Sequence, residues 1–139
     1  SALFCEGLEE FVESPNYAEG MKTLVELDRE ITRCIKNIDV PGLFEATGLY
    51  HQTVYKTSGN SYLVELSRRV HFHHYNRQIV DTVGFKRLAK LATVYAGATK
   101  ALLKHDGKKA CALIRVQIPA IVELLNQSDS MQINTSKKR

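Results

Sequence analysis

Apolar residues recur at helical spacing along almost the whole 139-residue chain, and no segment of useful length alternates with the period of a strand. The clearest run is Tyr17, Met21, Leu24, Asp28, Ile31, Ile35 and Ile38. Three-and-four steps put these residues on one face of a long amphipathic helix, apolar except at Asp28. A shorter stripe of Leu3, Gly7, Leu8 and Phe11 precedes it and stops at "ESPN". Ser14 and Pro15 then read as a helix start, a hydroxyl cap followed by a residue whose missing N–H costs nothing in a first turn.

"NIDVPG" breaks the second helix, with Asp39 as the next cap and Pro41 in the next first turn. The third helix carries Leu43, Phe44, Thr47, Tyr50, His51 and Val54 and ends at "TSGN". In that turn Ser58, Gly59 and Asn60 are structural: glycine gives backbone freedom and Asn60 caps a fourth helix running through Leu63, Leu66 and Val70 to Ile79. Phe85, Leu88, Leu91, Ala92, Tyr95 and Leu102 mark a fifth helix. Asp106 and Gly107 open a sixth through Ala110, Leu113, Ile114, Gln117, Ile118, Ile121 and Leu125, with Pro119 as a kink. The expected fold is all-α, an antiparallel bundle of about six helices over 1–127. Residues 128–139 lack periodicity and are expected to form a disordered tail.

Size and charge narrow the function classes. A chain of this length buries roughly two-thirds of its unfolded surface, enough for one real core. The net charge is +4, but Lys137, Lys138 and Arg139 supply three of those charges, so the body demands no basic nucleic-acid face. Cys5, Cys34 and Cys111 are odd in number and widely spaced, and read as buried small hydrophobes in a reducing, cytoplasmic setting. The longest apolar stretch is interrupted by Lys104, Asp106, Lys108, Lys109 and Arg115, so no membrane partner is expected.

Thr47 and His51 lie four apart on one helix face, while Tyr95 and Gln117 sit on the inward stripes of the fifth and sixth helices. Polar groups converging from three helices either build a ligand cavity in a bundle core or are each satisfied separately, the threonine by its own helix carbonyl. In "RRVHFHHYNR", Arg69, His73 and Arg77 follow at four-residue steps. That face either meets an anionic ligand through charge-assisted bonds or is a solvated flank.

"LFEATGLYHQTVYKTSGN" followed by "SYLVELSRRV" resembles the effector-binding FCD domain of the FadR group of GntR-type bacterial transcription regulators. Tyr50-His51 and Ser58-Gly59-Asn60 match the family's aromatic-His pair and Ser-Gly-Asn in identity and spacing, and Asp106 with Ala110 matches its downstream Asp-to-Ala step. The resemblance covers the first helix through Gln127. It implies a ligand-sensing, dimerising domain, a homodimer with DNA contacted only through an N-terminal winged-helix domain that this chain lacks. The chain is then an excised effector domain or a headless relative, with no specific DNA binding of its own.

Many members of that family hold a divalent metal with one Asp and three His. Only His51 keeps its ligand here; the other positions are Thr47, Tyr95 and Gln117. The resemblance thus implies the pocket without the ion and with no cofactor. A small carboxylate effector would be bound by His51, Thr47, Tyr95 and Gln117, with Arg69 and His73 as further candidates. Two other readings compete. One is a purely structural, dimerising bundle without ligand. The other is a helical metal-dependent phosphohydrolase using His105-Asp106, but Asp106 reads better as a helix cap, and no other catalytic motif is present. The expectation is therefore not an enzyme.

Overall fold

A computed structural model describes residues 2–62, 64–65 and 84–116, and every regular element among them is helical. Five helices have both ends in view: α1 (Ala2–Glu13), α2 (Tyr17–Lys36), α3 (Val40–Ser58), α4 (Phe85–Ala92) and α5 (Val94–Leu103). Residues 61–62, 64–65 and 107–116 are helical as well. The all-α expectation therefore stands, with five complete helices among the described residues where the periodicity suggests about six. Leu63, Leu66, Val70, Ile79, Ile118, Pro119, Ile121, Leu125 and the tail 128–139 lie outside the described residues.

The core is the meeting of α1, α2, α3 and α5. Leu8, Phe11, Leu24, Ile31, Leu43, Tyr50, Val54 and Leu102 are fully enclosed there. Each such side chain stabilises the fold by about 1.5–3 kcal/mol through removal from water. Contacts step along the helices in a definite order. Phe4 meets His51, Gly7 lies against Val54 and Tyr55, and Glu10 reaches Asn60, so α1 and α3 run parallel. In α2 and α3 the order is reversed, with Gly20 against Thr57 and Cys34 against Gly42, so these neighbours are antiparallel. Only part of the bundle is thus antiparallel as expected.

Several local signals act as the sequence indicates. The Asp39 carboxylate accepts from the Gly42 N–H at 3.1 Å, and Pro41 sits in the first turn of α3. Gly59 closes α3 in the left-handed region at φ 74°, and the Asn60 side chain accepts from the Tyr62 N–H at 3.1 Å. Asp106 caps 107–116 by accepting from the Lys109 N–H at 3.0 Å.

Four expectations are corrected. The start of α2 falls at Tyr17, not at Pro15: the Ser14 hydroxyl accepts from the Asn16 N–H at 3.1 Å in the turn before the helix and donates to the Thr57 carbonyl at 2.5 Å. Ile38 does not continue the α2 stripe: it is 67% exposed at φ 54°, beyond the helix end. There the Asp39 N–H bonds the Cys34 carbonyl at 2.9 Å and the Ile38 N–H the Ile35 carbonyl at 3.4 Å, a Schellman closure. The fifth stripe is two helices. The Thr93 hydroxyl donates to the Lys90 carbonyl at 2.6 Å while its N–H reaches the same carbonyl at 3.4 Å, and this competition with the regular ladder separates α4 from α5. Lastly, the cysteines are not three isolated thiols. Cys5 and Cys111 form a disulfide with Cα atoms 4.9 Å apart, and only Cys34 is free.

A β-branched side chain in the left-handed region is strained by about 1 kcal/mol. Ile38→Gly should therefore raise the thermal unfolding midpoint by about 3 °C. Ile38→Val, which keeps the branched carbon, should leave the midpoint unchanged.

Candidate functional site

His51 is set on α3 one residue after Tyr50, whose ring is wholly enclosed. The hydrogen bond between His51 Nε2 and the Tyr95 hydroxyl spans 2.8 Å and joins α3 to α5. Of the expected polar quartet, these are the two residues the structure brings together. The Thr47 hydroxyl donates to the Phe44 carbonyl of its own helix at 3.1 Å. Gln117, Arg69, His73 and Arg77 lie outside the described residues. Ser58 donates to the Tyr55 carbonyl at 2.6 Å and, with Gly59 and Asn60, forms the turn after the site.

Four residues not singled out as site members complete the arrangement. The Tyr50 and Thr99 hydroxyls are 2.8 Å apart, and Thr99 donates to the Tyr95 carbonyl at 2.7 Å. Phe4 of α1 stacks on the imidazole with centroids 4.1 Å apart and planes at 29°. Tyr55 meets the edge of Phe4 at 5.9 Å. Thr99 was legible as the residue one helical turn after Tyr95. Phe4 had no signal beyond its neighbourhood to the first stripe, because its partner comes from a helix far along the chain.

Burial governs the electrostatics. It pushes the His51 imidazole down to about 4 and raises the phenols of Tyr95 and Tyr50 above their usual range. The His51–Tyr95 pair is therefore neutral at neutral pH, with one proton shared in the hydrogen bond. Asp28, the polar exception in the α2 stripe, is half-buried, and its carboxyl is raised by burial and partly restored by Lys100. No buried side-chain nitrogen or oxygen among the described residues lacks a hydrogen-bond partner.

Such a donor set does not fit a divalent cation. The Nε2 atom of His51 is engaged by a phenol that burial keeps protonated, and Thr47 offers a hydroxyl already committed to a carbonyl. Among the described residues no three His, Cys, Asp or Glu side chains come together as a metal-holding group. His105 and Asp106 are also apart from His51 in role. His105 lies on the Tyr17 ring at 4.1 Å, at φ 57°, closing α5, while Asp106 caps the next helix. No family model, no curated protein and no solved structure matches the chain.

Two outcomes follow from the buried network. The unfolded chain binds a proton at His51 near 6.5 and the folded chain only near 4. Stability is then full above pH 6.5 and falls as the pH drops toward 4, by about 3 kcal/mol in all from this group. Denaturant titrations across that range should show His51→Gln losing this part of the slope, the carboxylate part remaining. The Tyr50–Thr99 pair should respond asymmetrically. Tyr50→Phe leaves Thr99 bonded to the Tyr95 carbonyl and costs about 1 kcal/mol, whereas Thr99→Val strands the enclosed Tyr50 hydroxyl and costs about 2–3 kcal/mol.

Proposed function

We propose that this chain is a ligand-sensing domain that binds a small carboxylate beside His51, of the kind its sequence resembles in FadR-group transcription regulators. The observation that carries this reading is the His51–Tyr95 hydrogen bond between α3 and α5. It joins two of the positions that the resemblance assigns to the effector pocket, although they are separated by most of the central chain. Beside them Tyr50, the residue before His51, pairs with Thr99, one turn after Tyr95. A neutral imidazole and a phenol supply directed hydrogen bonds without the charge of a metal, so the acid is recognised by donors and by shape.

In this reading the chain dimerises as a helical bundle in the cytoplasm and makes no specific DNA contact itself. Ligand binding shifts the bundle between two packings and so the disposition of attached DNA-binding heads. No catalytic step is assigned to any residue. No helix among the described residues is long and apolar enough to cross a membrane, which is compatible with that setting. A second reading, a purely structural bundle, draws on a specific observation: the described buried polar side chains already satisfy one another, so a ligand must displace the Tyr95 bond to reach His51.

Thermal unfolding with a panel of mono- and dicarboxylic acids separates the two. A bound acid at a hundredfold excess over its Kd stabilises by about 2.7 kcal/mol, several degrees in midpoint. That shift should appear for at least one acid and vanish in His51→Gln and Tyr95→Phe. A flat response to every acid, with the helical fold intact, gives the structural reading. Zinc, manganese and nickel should give no chelator-reversible shift in the natural chain, whereas Thr47→Asp with Tyr95→His should gain one.

A further inference from the structure

The Cys5–Cys111 disulfide bears on His51 through a single neighbouring side chain. Phe4, immediately before Cys5 in α1, is the residue stacked on the imidazole. The other anchors of α1 lie further along it. Leu8 and Phe11 are enclosed, the Leu8 carbonyl and Glu9 backbone approach Gly107 so closely that a Cβ there would lie 2.9 Å from the former, and Ser14 is bonded to the Thr57 carbonyl. The first turn of α1 carries Phe4, a core side chain in ring contact with His51 and Tyr55, and the covalent link from Cys5 to 107–116. Proteins open locally in units smaller than the whole fold, so removing the covalent anchor of this turn acts there first.

We propose that the Cys5–Cys111 pair is a redox latch on the His51 site: oxidised, it holds Phe4 over the imidazole, and reduced, it lets the first turn of α1 lift and opens the His51–Tyr95 pair to solvent and ligand. The reductant is a dithiol. One of its thiolates attacks a sulfur of the pair and forms a mixed disulfide, and its second thiol releases the protein sulfur. Two electrons and two protons pass to Cys5 and Cys111, and the dithiol becomes a cyclic disulfide. Both cysteines are buried, at 3% and 4% exposure, so the same fraying that uncovers His51 admits the reductant. Cys34 takes no part: it is buried on α2 beside Glu30, Arg33 and Asp39.

The inference rests on the ligand-sensing reading only in its consequence for binding, so the test has two arms. In the first, the full chain is oxidised with glutathione disulfide or reduced with dithiothreitol, then treated with diethyl pyrocarbonate near neutral pH, and adducts are located by peptide mass spectrometry. His51 should react about tenfold faster in the reduced chain, with the exposed His105 unchanged as reference and the helical circular dichroism preserved. Phe4→Ala should react at the fast rate in both states, and Cys111→Ser at the fast rate whatever the reductant. Equal rates at His51 in the two states overturn the latch. So does loss of helical signal on reduction, which makes the bond a staple of the whole fold, or three titratable thiols after oxidation. In the second arm, the acid that stabilises the chain is compared in both states. Tighter binding after reduction supports the latch, and equal binding overturns it. A reactive His51 in a reduced chain that binds no acid leaves the latch standing and removes the sensing reading.

Discussion

The crossing of three chain segments at Thr57 fixes the rest of the structure. A Cβ at Gly20 would lie 2.6 Å from Thr57 Cγ2 and Oγ1 and 2.9 Å from Phe11 Cε2, so α1, α2 and α3 meet where only a glycine can stand. Ser14 adds a hydrogen bond from the α1–α2 turn to the Thr57 carbonyl. An interior packed this closely has discrete registers, not a continuum of them. With Phe11 and Gly20 locked at Thr57, each turn toward the start of α1 meets the turn of α3 that precedes it. Gly7 then falls against Val54 and Tyr55, and Phe4 on His51. The environment of the imidazole is thus set nearly two turns further along α3.

What the site can do follows from that enclosure. A charged imidazole would have to be stripped of water under the Phe4 ring, and a tyrosinate likewise, so both groups stay neutral and are joined by a hydrogen bond instead. Low local dielectric strengthens the His51–Tyr95 and Tyr50–Thr99 bonds and makes any unpaired member costly. A ligand entering here gains only the difference between its own hydrogen bonds and those it breaks. It must therefore bring an acceptor at least as good as the phenol oxygen, and a carboxylate is one, because bonds to an ionised acceptor are about twice as strong as neutral ones.

Much of the fold was legible because its signals are local. Asp39 with Pro41, Gly59 with Asn60, and Asp106 act through backbone groups within three residues, and each was placed correctly. The convergence of His51 and Tyr95 was legible from inward positions on two stripes together with the resemblance. Ile38 was misread because a period count has no term for where a helix ends. Asp39 is needed as the cap of α3, and the chain reverses one residue before it through the left-handed region. Ser14 and Thr93 show the same limit from the other side. Ser14 accepts from the Asn16 N–H before the helix begins and also bonds a carbonyl on α3, and Thr93 bonds back into its own helix and splits it. The Cys5–Cys111 link, with a sequence separation of 106, and the Phe4 stack depend on how α1 lies against 107–116 and α3, which no spacing along the chain encodes.

The uneven tethering of α1 has a consequence for how its two ends behave. Its later turns share a glycine crossing, two enclosed side chains and a backbone approach to Gly107, all of which resist any local opening. Its first turn has the core side chain Phe4, in ring contact with His51 and Tyr55, and one covalent bond. Burial under Phe4 disfavours the charged imidazole, so protonation of His51 works against the enclosed arrangement. Protonation of His51 and reduction of Cys5–Cys111 therefore weaken the same turn by independent routes, one acting on the face of Phe4 and the other on its neighbour in the chain. Their effects should reinforce each other at that turn and leave the Thr57 crossing in place, because the crossing contains no group that either change touches.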